Sequence, residues 1–206
     1  MGFAQEMRAP SAGCLGFCAR AIMKSGVKEH ADAVEALLDV QSEITVVELG
    51  PGSGGALRTI LRKGVKRVYA IELSEVYRNE LNANQECAEA ISSGRLSISG
   101  EDALSLPHIS DNSVDRVLGI NVVYFLDPLD IYLKEMSRIL KRGGLLVWTV
   151  KDMTKKMDKT VYVNTDWHAI VLAMAAAGFE ASIGETRLAN PSDPRVGYIP
   201  IIGKKR

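Results

Sequence analysis

The 206-residue sequence predicts an α/β fold built on a doubly wound, mostly parallel sheet of seven strands. Short runs of β-branched apolar residues alternate with longer amphipathic segments, a pattern typical of βα units around a parallel sheet. A glycine cluster directly follows the first apolar run, and two further apolar runs close the chain after the last helical segment. We therefore expect a Rossmann-like fold in which one strand near the C-terminus runs antiparallel.

The predicted elements follow from apolar periodicity and from the glycines that end most helical runs. Strands are expected at residues 44–49, 67–72, 95–99, 114–120, 145–150, 179–186 and 197–202. Helices are expected at residues 56–63, 75–92, 129–140 and 167–177. The first forty residues also have helical spacing. We therefore expect one structural domain, with a helical N-terminal segment at residues 1–43 and the sheet at residues 44–206.

Composition and charge restrict the class of protein. Apolar residues make up 47% of the chain and charged residues 24%, which is typical of a globular domain with a real core. Lys plus Arg and Asp plus Glu number 25 each, so the formal net charge is zero. Nucleic-acid and membrane partners select for basic excess, so we expect no nucleic-acid partner. We also expect no membrane span and a cytoplasmic location, while the oligomeric state stays open.

The three cysteines do not predict a disulfide framework or a metal site. Cys14 and Cys18 would share one helix face, and Cys87 lies far along the chain. No further Cys or His pair completes a zinc set, so we expect no metal and reduced, mostly structural thiols.

The glycine cluster Gly50-Pro51-Gly52-Ser53-Gly54-Gly55 lies between a predicted strand and a predicted helix. Glycines there permit a tight turn and close approach of a ligand to the backbone, and the helix N-terminus adds free amide donors. Gly50, Gly52 and Gly55 match the G-x-G-x-x-G of dinucleotide oxidoreductases. Gly50, Gly52 and Gly54 match the E/D-x-G-x-G-x-G of methyltransferases. The glycines alone do not choose between the two, and a tight turn without ligand also fits.

Two acidic residues help to decide between the dinucleotide pattern and the methyltransferase pattern. Glu48 lies near the end of a predicted central strand, where an ionised carboxylate is costly unless something polar compensates it. It could anchor the cationic amino group of S-adenosylmethionine (SAM), whereas it would repel the pyrophosphate of a dinucleotide. Glu72 ends the second strand and could accept hydrogen bonds from both ribose hydroxyls, a device that dehydrogenases share. Glu48 therefore favours SAM, and Glu72 indicates a nucleoside.

Five ordered segments carry a family resemblance. They are residues 47–54, 70–74, 101–107, 111–117 and 138–144. In order and spacing they resemble the small class I SAM-dependent methyltransferases of the type 11 kind, over roughly residues 44–150. The resemblance implies that fold and SAM as the cofactor.

The resemblance also implies roles for individual residues. It places Glu48, Gly50, Gly52, Gly54 and Asn121 at the methionine end of SAM, Glu72 at the ribose, and Leu73, Asp102 and Ala103 at the adenine. Glu101 precedes Asp102, so two acids compete for the adenine edge; Asp102 is preferred because Ala103 follows it. The N-terminal segment is similar to the opening of one branch of this family, and we expect it to fold over SAM as a lid.

The sequence gives less information about the residues that would bind a methyl acceptor. Tyr124 and Phe125, after the fourth strand, could wall an acceptor pocket or simply pack their loop. His108 and His168 are candidate general bases, but neither belongs to a motif, so the catalytic residue is not assigned.

The function predicted from these residues is methyl transfer from SAM to a small molecule, with lipid or quinone-like acceptors possible. One alternative is a catalytically silent SAM-binding domain that regulates a partner. A second is an NAD-linked oxidoreductase, although Tyr132-Leu133-Lys134 lacks the Tyr-x-x-x-Lys spacing that such an enzyme would favour.

Overall fold

The protein was analysed as a computed structural model that describes residues 2–23, 33–34, 42–151, 158–188 and 197–206. Most of the helical pattern predicted between residues 27 and 38 lies outside the described residues. Ala33 and Val34 are described, and both are helical and buried.

The sheet has the predicted topology. Its strands are β1 (Thr45–Leu49), β2 (Arg67–Ile71), β3 (Leu96–Ser99), β4 (Val114–Ile120), β5 (Leu140–Lys151), β6 (Phe179–Ile183), β7 (Arg187–Leu188) and β8 (Gly197–Lys205). The order across the sheet is β3-β2-β1-β4-β5-β8-β6, and the two-residue β7 pairs with β8 outside this path. β8 runs antiparallel to both β5 and β6, and the other pairs in the path are parallel. The prediction of a mostly parallel seven-stranded sheet with one antiparallel strand near the C-terminus is confirmed.

Helices cover both faces of the sheet. They are α1 (Phe3–Arg8), α2 (Cys14–Met23), α3 (Gly55–Arg62), α4 (Glu75–Ala83), α5 (Gln85–Ser92), α6 (Leu129–Ile139) and α7 (Trp167–Ala176). Successive side chains of a strand point to opposite faces, so Val46 packs with α3, α4 and α5 while Val47 packs with α6 and α7. The strands between the two cores are therefore buried on both faces.

Three predicted boundaries are wrong, each for a local reason. The helix predicted at residues 75–92 is two helices, because the Asn84 side chain accepts a hydrogen bond from the Cys87 amide and caps a new helix, α5. The strand predicted to start at residue 145 starts at Leu140, which pairs with Val114 before the register shifts. The helical N-terminus breaks into α1 and α2, and Pro10 lies in the turn between them.

The topology brings the predicted site segments to one edge of the sheet. The order of the strands reverses between β1 and its neighbour β4, and the carboxyl ends of these two strands open a crevice there. The glycine loop after β1, the turn after β2 and the Asn121–Phe125 turn after β4 all meet at this edge. The parallel register thus places residues far apart in sequence around one crevice.

An arginine in α6 fixes the long connection between β3 and β4. Arg138 donates to the carbonyls of Ile109 at 2.9 Å and Leu106 at 3.0 Å. It also forms two hydrogen bonds with Glu135, at 2.7 and 2.8 Å. Glu135 in turn accepts a hydrogen bond from the Leu106 amide. These bonds hold a connection that has no helix or strand of its own against α6.

We expect Arg138→Ala to lower the free energy of unfolding by about 2–4 kcal/mol, because several backbone and carboxylate partners lose their donor together. Arg142→Ala serves as the control, since Arg142 is exposed at the turn within β5 and should change stability by less than about 0.5 kcal/mol. The measurement is urea unfolding followed by circular dichroism. Equal midpoints for the two variants would contradict the structural role of Arg138.

Candidate functional site

The glycine loop adopts the methyltransferase register. Gly50, Gly52 and Gly54 have positive φ angles of 61°, 55° and 79°, whereas Gly55 is already the first residue of α3. A Cβ on Gly50 would lie 2.5 Å from the Val122 side chain, so that position requires glycine on steric grounds as well. The conformation therefore requires glycine at the first, third and fifth residues of the cluster, the three glycines of the methyltransferase pattern.

A cleft of about 310 Å³ opens above this loop and continues into a hollow of about 60 Å³. Of the predicted residues, Glu48, Gly50, Gly52, Glu72, Asn121, Tyr124 and Phe125 line the cleft, and Leu73, Asp102 and Ala103 line the hollow. Arg8, Gly50, Glu72, Val122 and Phe125 line both. The predicted residues are thus brought together, except Gly54. Gly54 lines neither space, because it packs behind the loop as the N-cap of α3 beside Leu81.

Glu48 is a buried carboxylic acid at the floor of the cleft. It is 3% exposed in the central strand β1, and its Oε2 has no hydrogen-bond partner among the described residues. Burial, and then the nearby charge of Glu72, raise the pKa of Glu48 to about 8. The group therefore keeps its proton at neutral pH unless a positive charge enters the cleft.

Glu72 holds the loop in place from the end of β2. Its Oε2 accepts a hydrogen bond from the Gly52 amide at 2.9 Å, and its Oε1 accepts one from the Ser74 amide at 2.8 Å. Burial raises the pKa of Glu72, and the two amide bonds act in the opposite direction. Each oxygen retains a further lone pair for an incoming donor.

The N-terminal segment lies against this corner of the site. Met7, Arg8 and Pro10 line the cleft, and the Ser74 hydroxyl donates to the Pro10 carbonyl at 2.6 Å. Glu6 accepts hydrogen bonds from the amide and hydroxyl of Ser11, which shape the turn after α1. The segment that carries Arg8 is therefore hydrogen-bonded to Ser74, two residues after Glu72.

The hollow combines an apolar side chain with a carboxylate. Leu73 is 39% exposed, which leaves an apolar surface open at its rim. Asp102 Oδ1 accepts hydrogen bonds from the Tyr132 hydroxyl at 2.7 Å and from the Leu104 amide at 3.2 Å. Glu101 also lines the hollow, but its carboxylate engages His108 and the Ser99 hydroxyl.

An aromatic cluster walls the opposite side of the cleft. The ring centroids of Phe125 and Tyr162 are 4.9 Å apart, and Tyr124 lies 6.1 Å from each. Tyr124 is fully buried, and its hydroxyl hydrogen-bonds the backbone of Lys151 at the end of β5. Asn121 turns the chain into this wall with a φ of 56°. Tyr124 therefore packs the loop, while Phe125 and Tyr162 present the surface.

Sequence reasoning missed Tyr77, Lys151 and Tyr162, which also line the cleft. Tyr162 follows a charged loop without a motif. Asn164 holds the segment that carries Tyr162 against the turn after β4. Its side-chain amide donates to the carbonyls of Val123 at 2.9 Å and Leu126 at 2.7 Å. An aromatic residue two positions before an asparagine was the only available signal, and it is too weak to use.

The two histidines considered as general bases, His108 and His168, lie outside the cleft. His108 pairs with Glu101 at 2.9 Å, and His168 is exposed on the first turn of α7. Within the described parts of the chain, no group of three His, Cys, Asp or Glu side chains could hold a metal ion. None of the helices described there is long and apolar enough to cross a bilayer.

Sequence comparison identifies relatives that share part of this chain. Residues 47–148 match the family described as "Methyltransferase domain". Ribosomal RNA small subunit methyltransferase A of Rhodopseudomonas palustris (strain TIE-1) is 49% identical over 61 residues, which are 30% of this chain and 20% of the relative. Methyltransferase GfsG of Streptomyces halstedii is 30% identical over 110 residues, 53% of this chain and 38% of the relative. The chain thus spans well under half the length of either relative.

Solved structures share the fold over most of the chain. The methyltransferase in complex with the Haloferax volcanii Trm112 methyltransferase activator has a TM-score of 0.70 at 21% identity, over 90% of this chain and 92% of that one. The [4+2]-cyclase SpnF has a TM-score of 0.65 at 18% identity, over 94% and 83%. Geranyl diphosphate C-methyltransferase from Streptomyces coelicolor A3(2) has 0.67 at 15%, over 86% and 77%. At these identities the likeness establishes the fold.

The glycine loop, the acids at the ends of β1 and β2, and the match over residues 47–148 agree with one another. Residues 47–148 form a methyltransferase domain, and the chain has the fold of the class I SAM-dependent methyltransferases, whose cofactor is S-adenosylmethionine.

Proposed function

We propose that this protein transfers a methyl group from SAM to a small-molecule acceptor bound beside the aromatic wall. The observation that carries the proposal is Glu48, a buried carboxyl group in the cleft whose Oε2 has no partner among the described residues. An uncompensated acid at the centre of a sheet destabilises the protein, so its presence indicates a ligand that compensates it.

The residues at the loop fit the methionine end of SAM. The cationic amino group can take the place of the missing partner of Glu48 and stabilise the carboxylate form. The amides of the first turn of α3 are donors suited to the ligand's carboxylate. The amides of the loop glycines already donate within the protein. A dinucleotide would instead bring a pyrophosphate toward Glu48, and an anion cannot compensate a buried carboxyl group as a cation can.

The residues beyond the loop fit the adenosine end. Glu72 is held by two amides and can accept hydrogen bonds from ribose hydroxyls with its remaining lone pairs. Leu73 offers an exposed apolar surface for one face of a purine, and the hollow beside Asp102 and Ala103 has room for its edge.

Bound SAM supplies a methyl group on a positively charged sulfur. The task of the chain is then to align an acceptor with that methyl group and to exclude water from the path. Phe125 and Tyr162, whose rings are inclined at 51°, provide a mostly apolar wall for this purpose, and Met7 lines the cleft from α1. Neither His108 nor His168 lines the cleft or the hollow, so the catalytic base, where the acceptor needs one, is neither of these two histidines.

Proteins of similar structure support a small-molecule acceptor but do not identify it. The geranyl diphosphate C-methyltransferase and the Haemonchus contortus enzyme, whose complex contains phosphomonomethylethanolamine, act on small molecules and share the fold. The relatives named as ribosomal RNA methyltransferases match only a short part of this chain. The absence of a nucleic-acid partner stays a prediction, and RNA is therefore one arm of the tests below.

We expect Glu48→Gln to weaken binding of S-adenosylhomocysteine, which has the same amino group, by more than about tenfold, because an amide cannot neutralise a cation. Glu185→Gln is the control, since Glu185 is exposed and lines neither the cleft nor the hollow. The measurement is isothermal titration calorimetry with S-adenosylhomocysteine and, separately, NAD. Binding of NAD, or unchanged affinity in Glu48→Gln, would overturn the proposed role of Glu48.

We expect the affinity of the unsubstituted protein to rise about tenfold per pH unit between pH 6 and 7.5, because binding requires Glu48 to release its proton. Glu48→Gln should lose this slope. Titrations in buffers of different ionisation enthalpy should also detect about one proton released at pH 7. A flat profile in the unsubstituted protein would show that Glu48 does not face the cation.

We expect the same substitution to stabilise the ligand-free protein. The pKa of Glu48 is about 8 when folded and near 4.5 when unfolded, so its burial is harmless below pH 4.5 and increasingly destabilising up to pH 8. Glu48→Gln should raise the free energy of unfolding by on the order of 3 kcal/mol at pH 8 and by little at pH 4. Urea unfolding at both pH values measures the difference. A loss of stability at pH 8 would contradict the buried-acid interpretation.

We expect Tyr162→Ala to reduce acceptor-dependent formation of S-adenosylhomocysteine by at least about tenfold, with cofactor affinity unchanged within about twofold. Val163→Ala is the matched control, because its side chain is exposed one residue away. Turnover is measured with small-molecule and RNA fractions of a cell extract. Turnover with RNA alone would contradict the small-molecule proposal, and tight SAM binding without turnover in any fraction would favour a regulatory domain.

A further inference from the structure

Asp102 lines the hollow and is held there by its Oδ1 atom. Oδ1 accepts two hydrogen bonds, from the Tyr132 hydroxyl at 2.7 Å and from the Leu104 amide at 3.2 Å. Oδ2 lies 3.8 Å from the guanidinium of Arg8, which lines the same hollow. The two oxygens of one carboxylate are therefore in different surroundings.

The hydroxyl that holds Asp102 belongs to a rigid part of the fold. Tyr132 is 1% exposed in α6, where Leu133 and Met136 anchor the helix in the core. Arg138 of the same helix is bonded to the connection that begins at Asp102, through the Leu106 and Ile109 carbonyls. The donor and the acceptor of the 2.7 Å bond are thus fixed relative to each other by bonds other than their own.

Tyr132 and Arg8 approach different oxygens of Asp102. At 3.8 Å from Oδ2 the Arg8 guanidinium is beyond the distance of a formed charge-assisted hydrogen bond, which is about 2.8 Å. The Tyr132 hydroxyl lies 2.7 Å from Oδ1, within hydrogen-bond distance. Of these two side chains, Tyr132 is therefore the one that fixes the carboxylate.

The hollow beside Asp102 is suited in size and chemistry to the edge of a purine. Its volume is about 60 Å³, Leu73 and Ala103 give it apolar walls, and Asp102 gives it an acceptor. A 6-amino group can donate to a carboxylate oxygen. A 6-oxo group would place two acceptors against each other, and a buried acceptor without a donor is costly.

We propose that Tyr132 is a positioning residue that turns Asp102 Oδ2 toward the bound base, so that the site selects a 6-aminopurine over a 6-oxopurine. This inference rests on the proposed SAM-binding function. Tyr132 also lines the hollow, and its hydroxyl donates to Asp102, so the double variant described below is needed to show that its effect on the base passes through that carboxylate. Selectivity for the base at position 6 is therefore shared between the loop after β3 and a tyrosine in α6.

The test compares two ligands that differ only at position 6 of the purine, S-adenosylhomocysteine and S-inosylhomocysteine, by isothermal titration calorimetry. We expect the unsubstituted protein to prefer the adenosine ligand by about thirtyfold. Tyr132→Phe, which removes one oxygen and keeps the ring, should reduce that preference to about threefold. Tyr69→Phe is the control: it removes a tyrosine hydroxyl that lines neither space, and it should leave the ratio unchanged.

A second pair of variants separates positioning from a general structural effect. Asp102→Ala should abolish the preference, and Tyr132→Phe should change the ratio no further in that background. A merely structural loss would lower both affinities together and leave their ratio intact, which would overturn the inference. An unaltered ratio in Tyr132→Phe would do the same. If the unsubstituted protein binds neither ligand, the proposed cofactor function itself fails.

Discussion

The buried carboxyl group of Glu48 is the constraint around which the site is arranged. It lies in register with Ala70 and Leu118, inside the parallel core, where neither neighbour can compensate a charge. Burial raises the pKa of such a group so that it stays neutral, unless a nearby cation stabilises its ionised form. The fold places it where the order of strands reverses, at the one edge of the sheet where a ligand can reach it. Glu48 thus destabilises the central strand at the position where a ligand can contact it.

Glu72 connects this centre to the rest of the site. One of its oxygens fixes the glycine loop through Gly52 and the other fixes the start of α4 through Ser74. Ser74 then donates to the Pro10 carbonyl, so the N-terminal segment is attached two residues from the acid. A change in the charge or position of Glu72 would reach the loop, the helix and the N-terminal segment together. The conformation of the glycine loop and the placement of the N-terminal segment are therefore linked through Glu72 and Ser74.

The sequence predicted what local patterns determine. Strand runs, the glycine loop and Glu48 could be read because their signals are contiguous or evenly spaced. The break at Asn84 was missed because a capping residue inside a polar helix resembles any other surface asparagine. The early start of β5 was missed because Leu140 ends a helical pattern as well as beginning a strand. Tyr132 could not be assigned to Asp102, because that contact joins residues 30 positions apart and depends on how α6 packs.

The two halves of the site are encoded differently in the chain. The residues that fit the cofactor lie within the stretch 47–148 that matches the methyltransferase domain family. Arg8 and Tyr162, which line the cleft from the N-terminal segment and from the chain beyond β5, lie outside that stretch. Tyr162 reaches the cleft only because Asn164 fastens its segment to the turn after β4. The family match therefore covers the residues proposed for the cofactor, whereas we expect acceptor choice to depend on segments outside it.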